Sequence, residues 1–132
     1  MLRKITREWS FDLDESFRHR IEDGNLIFWK PGRTIYLIVW SRPEGEDKEQ
    51  TMTWLKSESH PDPLLRKEPA STAILRYGYL LKERDGEHEY FGFYGFAVAN
   101  TSYVQMSCYF DKETDVEWAE QTWLSLTYQS DQ

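Results

Sequence analysis

Five carboxylates crowd one short stretch near the end of the chain: Asp111, Glu113, Asp115, Glu117 and Glu120. Two kinds of chemistry could use them. A hydrolytic acid/base pair needs two carboxyls facing each other across a bound substrate, whereas these five fall at a strand end and the start of a helix. The other use is attraction of a positively charged surface. One or two acids in a first helical turn are explained by the positive end of the helix dipole, at about 0.3–1 kcal/mol each. Five exceed that requirement, so Asp111, Glu113, Asp115, Glu117 and Glu120 are the candidate contact residues for a basic partner.

Other reactive residue types are present without the spacing their chemistry needs. Cys108 sits within VQMSCYF, mid-strand beside Met106 and Phe110, where a thiol behaves as a small apolar side chain rather than as a nucleophile poised next to a base. His19, His60 and His88 lie far apart in polar stretches. None forms the i, i+4 helical pair or joins the CxxC spacing of a zinc site. Ser, His and Asp occur without a nucleophile elbow, and no glycine-rich phosphate loop exists. Gly92 and Gly95 stand three apart inside a strand, which is bulge spacing rather than a phosphate cradle. No catalytic residue, metal or cofactor is expected.

The elements that must position these residues centre on YFGFYGF, residues 90 to 96. In an extended strand Phe91, Phe93, Gly95 and Ala97 point one way, and Tyr90, Gly92, Tyr94, Phe96 and Val98 the other. Both faces are apolar. A base-stacking platform would show its rings on one wet face with cations interleaved, but the flanking residues are Glu87, His88 and Glu89. The strand is therefore expected to be covered on both sides, with the glycines allowing a bend or the close approach of a helix.

Around it, Trp9, Phe11 and Leu13 alternate with polar residues as a half-buried strand does, and Leu26 to Lys30 and Arg33 to Ser41 read as strands flanking the Pro31-Gly32 turn. The second of these carries IYLIVW, apolar on both faces and so expected to be covered on both. Asp47 and Gln50 have capping-box spacing before a helix over 48 to 59. Residues 61 to 69, with three prolines, read as a loop. A strand is predicted over 70 to 84, Asp85-Gly86 signals a hairpin, and strands follow over 87 to 99 and 101 to 110. Thr114-x-x-Glu117 predicts a second capping box, and Val116, Ala119, Trp123 and Leu126 mark the buried stripe of a terminal helix. The expected architecture is α+β: an antiparallel, meander-containing sheet of about six strands sandwiched between two helices, forming a single domain over residues 1–132.

Aromatic residues supply 16% of this chain, and its net charge is −7. The charge is uneven: 8 of the 16 Lys/Arg but only 6 of the 23 Asp/Glu lie in residues 1 to 42. An acidic field repels phosphate backbones and anionic lipid and attracts basic surfaces, so neither nucleic acid nor membrane is the expected partner. The six-residue run IYLIVW is far short of the about twenty residues that cross a bilayer. A single cysteine and an N-terminus without an apolar export segment point to a cytoplasmic, reducing setting.

The order of strands, helix, meander and helix resembles the Mog1/PsbP/DcrB-like fold group. The resemblance is carried by IVWSRPEGED running into the first helix and by CYFDKETDVEWAEQTWLSLTY at the end, and it extends over residues 9 to 128. It implies a mostly noncatalytic binding or assembly protein, a group that includes bacterial chaperones of secreted effectors, and it carries no functional residue onto a position here. Three functions follow as expectations. The first is a cytosolic module that binds a basic protein partner, such as an immunity protein blocking a toxin. The second is an effector chaperone with an apolar groove at Trp29, Trp40 or Trp54. The third is a small-ligand binder or enzyme with a pocket lined by Tyr79, Tyr94 or Tyr103. The sequence does not fix the oligomeric state.

Overall fold

The structure, a computed structural model, describes residues 1–71 and 73–130. Thr72, within the strand predicted over 70 to 84, and Asp131 and Gln132 lie outside the described residues. The elements in chain order are β1 Leu2–Lys4, β2 Trp9–Asp12, β3 Arg18–Glu22, β4 Asn25–Lys30, β5 Arg33–Ser41, α1 Lys48–Ser57, β6 Leu65–Lys67, β7 Leu75–Asp85, β8 His88–Val98, β9 Ser102–Phe110, a 3-10 turn over Glu113–Asp115, α2 Val116–Leu124 and β10 Thr127–Tyr128. An antiparallel sheet of seven strands runs β3-β4-β5-β9-β8-β7-β6, and a three-stranded sheet runs β1-β2-β10. Strands β7, β8 and β9 form the expected meander.

The large sheet has seven strands rather than about six. The strands beyond the expected set are edge strands without an apolar pattern: β3, RHRIE, is exposed along its whole length, and β6 lies within the proline-rich stretch read as a loop. The β7–β8 turn also differs by one residue from the expected position. Asp85 pairs with His88, so the central residues are Gly86 and Glu87, with Gly86 at φ 66, the left-handed conformation glycine adopts without steric cost.

The two faces of the sheet are built differently. On one, Phe28, Ile35, Leu37, Leu80, Phe93, Val104, Met106, Cys108 and Phe110 pack with Trp9 and Phe11 of the small sheet and with Ala119, Trp123 and Leu126. This is the main core, covered by α2 and the small sheet together. Position 95 explains how α2 sits so close: a Cβ there would overlap the Trp123 indole. The indole Nε1 donates to the Phe96 carbonyl oxygen at 3.1 Å, and the Phe93 ring lies edge-on to Trp123, 5.4 Å between centroids.

On the opposite face Met52 and Leu55 of α1 cover only Tyr77, Phe96, Val98 and Tyr103, with Leu75 and Tyr79 beside them. Geometry limits that cover. A ten-residue helix is about 15 Å long and about 10 Å wide, and seven strands span about 29 Å at their usual spacing. Strand β5 is therefore not covered on both sides: Ile35 and Leu37 are buried, whereas Tyr36 and Trp40 are exposed.

Helix α1 begins as its sequence demands. Asp47 accepts from the Gln50 amide at 2.8 Å, and the Gln50 side chain accepts from the Asp47 amide at 2.8 Å. The second capping box does not form. Thr114 lies inside the 3-10 turn that leads into α2, and Asp115, the residue at the N-cap position, makes no side-chain cap bond; its carboxylate takes Nε and an Nη of Arg33, at 3.4 and 3.0 Å. No helix among the described residues is long and apolar enough to cross a membrane.

Candidate functional site

The part of the sheet that α1 leaves uncovered is floored by tyrosines. Strand parity places Tyr36 of β5, Tyr109 of β9, Tyr90 and Tyr94 of β8 and Tyr79 of β7 on this same face, and their rings form an unbroken run. Tyr79 stacks on Tyr94 at 5.3 Å, Tyr94 meets Tyr109 edge-on at 5.9 Å, and Tyr109 meets Tyr36 at 5.7 Å and Tyr90 at 5.9 Å, both edge-on. Offset and edge-on pairs of this kind contribute about 0.5–1.5 kcal/mol beyond area burial. The hydroxyls are organised as well. Tyr94 donates to Glu83 in a short hydrogen bond. Gly92 leaves the room for it: a Cβ at position 92 would come within 2.9 Å of the Tyr94 ring and 3.1 Å of Glu83 Oε1.

Several of the phenols on this face are held above the ordinary value. Burial, reinforced by the hydrogen bond to Glu83, pushes Tyr94 far above the ordinary phenol value. Burial also raises Tyr79 and Tyr103, and the Glu83 hydrogen bond raises Tyr90. Cys108, fully buried on the other face, is pushed well above the ordinary thiol value by desolvation. The surface so built offers hydroxyl donors, aromatic edges and faces, and carboxylate acceptors.

Two recesses mark its ends. One, of about 410 Å³, lies between α1 and the sheet and is lined by Trp40, Trp54, Tyr79 and Gln105 among others; Trp40 and Trp54 are 46% and 53% exposed. The other, of about 490 Å³, lies at the hairpin end, between Tyr36, Tyr90 and Tyr109 with Asp85, His88 and Asp111 at its rim.

The five acids named from the sequence are not brought together as one patch. Asp111 lies on the tyrosine face, within hydrogen-bond distance of His88 Nε2 at 2.9 Å. Asp115 and Glu120 serve the opposite face: Asp115 holds Arg33, which also lies 4.6 Å over the Trp118 ring, and Glu120 stands 3.9 Å from Lys67. Glu113 and Glu117 are exposed. Of the tyrosines named for a pocket, Tyr79 and Tyr94 belong to the aromatic run, and Tyr103 is buried under α1. Tyr36, Tyr90 and Tyr109 carried no functional assignment from the sequence. One signal could have found them. In β5, β7, β8 and β9 every tyrosine falls on one parity of its strand and the other parity carries none, and a phenol hydroxyl favours the side where it can reach water.

No family model matches the sequence, and no curated relative matches it. The fold is similar to that of a protein from Bacteroides thetaiotaomicron VPI-5482 solved by crystallography at 1.50 Å, with a TM-score of 0.72 at 10% identity over 93% of this chain. The chain spans 46% of that protein. A likeness at this identity speaks to fold alone.

Proposed function

We propose that the chain is a noncatalytic protein-binding module of a reducing, cytosolic compartment, and that it holds a basic protein partner, such as a toxin or secreted effector, against the tyrosine face of its sheet. The observation that carries this reading is the unbroken run Tyr79–Tyr94–Tyr109 with Tyr36 and Tyr90, rings in mutual contact on a face that α1 covers only at one end. Tyrosine is enriched at binding hot spots because it brings large contact area and a hydrogen-bonding tip at little cost in conformational entropy. Glu83, Asp85 and Asp111 stand on the same face, and the −7 net charge favours encounter with a positive surface. Membership in the Mog1/PsbP/DcrB-like group belongs to the same proposal, supported by the order of strands, helix, meander and helix.

Affinity capture from native lysate tests it, with the wild-type chain and a Tyr36→Ser/Tyr90→Ser variant as baits. A basic protein retained by the first bait and released by the second at matched folding is the expected result. Equal retention by both baits, or retention only of acidic proteins, overturns the assignment.

A second reading is an effector chaperone that holds apolar segments, favoured by Trp40 and Trp54 standing half-exposed around one recess. It differs in its dependence: loss of the partner on Trp40→Ala/Trp54→Ala with no effect of added salt would identify it.

A further inference from the structure

We propose that the recess at the hairpin end of the tyrosine face is a receptor for one arginine side chain of a basic protein segment, a site that deepens and rests on the reading of that face as the contact surface. Three rings wall the recess: Tyr109 stands between Tyr36 and Tyr90 and meets each edge-on, at 82° and 68° between ring planes. Rings in near-perpendicular orientations line one space of about 490 Å³, and a flat cation lying over a ring face is held by the ring quadrupole.

Charge at the rim has the complementary sign. Asp85 has no ion-pair partner among the described residues. Asp111 engages His88 through Oδ1 only. Two carboxylates above an aromatic wall suit a guanidinium, which is planar, donates through a rigid fork and is weakly hydrated for a cation.

Apart from His88, which takes Asp111 Oδ1 and lies 5.6 Å from the Tyr90 ring, the neighbouring cations do not compete for the space. Arg33 lines the recess, but its guanidinium turns to the other face, bonded to Asp115 at 3.0 Å and lying over Trp118. Lys82 and Arg84 of the same hairpin are both held by Glu89, at 3.1 and 2.9 Å. Glu83 is engaged by the Tyr94 hydroxyl deeper in the face. The cation–π and carboxylate interactions would act together on one side chain.

The test is a titration of the whole chain with acetyl-Gly-Arg-Gly-amide and with its citrulline counterpart, which keeps the planar shape, replaces one nitrogen of the fork by a carbonyl acceptor and removes the charge. The signals followed are the ring protons of Tyr36, Tyr90 and Tyr109 by NMR at low salt. The arginine peptide is expected to shift all three rings with a dissociation constant on the order of millimolar, as suits a ligand of this size. The citrulline peptide is expected to bind at least about threefold more weakly. Asp85→Asn/Asp111→Asn, at two exposed positions, is expected to weaken arginine binding by a similar factor while leaving the remaining chemical shifts in place. Equal shifts from both peptides overturn the cation receptor and leave the tyrosine face standing as a contact surface. Shifts from neither peptide overturn the receptor too, and the capture experiment with the Tyr36→Ser/Tyr90→Ser bait then decides the face by itself.

Discussion

Trp123 reaches the sheet only because position 95 carries no side chain. A methyl group added there would overlap the indole, and moving the ring would also break its hydrogen bond to the Phe96 carbonyl. Gly95→Ala is accordingly expected to destabilise the fold by about 1–3 kcal/mol, the usual cost of overpacking, read as a lower urea midpoint at unchanged slope. Gly92→Ala places its methyl against the Tyr94 ring on the half-open face, where the ring has room to yield, and is expected to cost less. If the two variants unfold at the same denaturant concentration, Trp123 is not seated as described. The spacing of these glycines was legible from strand parity alone: opposite faces, with a helix close to one. The cross-strand partner was not. A turn centred on Asp85-Gly86 would set Arg76 opposite Gly95, whereas the turn at Gly86-Glu87 sets Gly78 there, so that the Phe93 ring lies over position 78, 2.6 Å from where a Cβ would stand. One residue of turn position decides which side chains meet.

Among elements, those with a strong local signal read clearly: the capped α1, the strands β4, β5, β8 and β9, and the buried stripe Ala119, Trp123 and Leu126. Elements made by their partners rather than by a pattern of their own did not. Strand β10 is two residues long and exists because it pairs with β2 across more than a hundred residues of chain. Strand β3 is exposed throughout and follows the register of β4 rather than a pattern of its own. The start of α2 differs too: Thr114-x-x-Glu117 fits a capping box locally, but a 3-10 turn over Glu113–Asp115 takes Thr114, and Arg33, on β5, holds Asp115 in an ion pair that joins helix to sheet. That pair is 28% and 20% exposed on its two sides, more sheltered than a surface pair, and the guanidinium binds through two nitrogens. Asp115→Asn is therefore expected to cost about 1 kcal/mol, with the loss shrinking in high salt. Glu117→Gln, on the exposed side, should stay within about 0.5 kcal/mol of wild type. Thermal melts of the two variants at low and high salt check both. Equal melting points would remove Asp115 from the set of residues that position α2 and return it to the candidate contact acids.

At the scale of the whole molecule, one sheet has two faces of comparable aromatic content and unlike use. The sequence of the ring-rich strand β8 predicts cover on both sides, because its rings are apolar in both parities and a sequence does not state how wide a sheet one helix must cover. The hydroxyls divide the faces: Phe91, Phe93 and Phe110 lie toward α2 and the small sheet, and Tyr36, Tyr90, Tyr94 and Tyr109 lie on the side α1 leaves half-open. If the second face is held for a partner and not for folding, stability must be distributed unevenly between them. Phe93 is fully buried, and Phe93→Ala is expected to cost about 3–5 kcal/mol, a large share of the 5–15 kcal/mol typical of a whole domain. Tyr36 is 38% exposed, and Tyr36→Ser loses one edge-on contact and part of its buried area, for an expected cost of about 1 kcal/mol. Urea unfolding of the two variants measures the difference directly. A Tyr36 variant as damaged as the Phe93 variant would mean that the tyrosine run is structural, held together for its own sake, and the proposed contact surface would then have to be sought at the recess around Trp40 and Trp54.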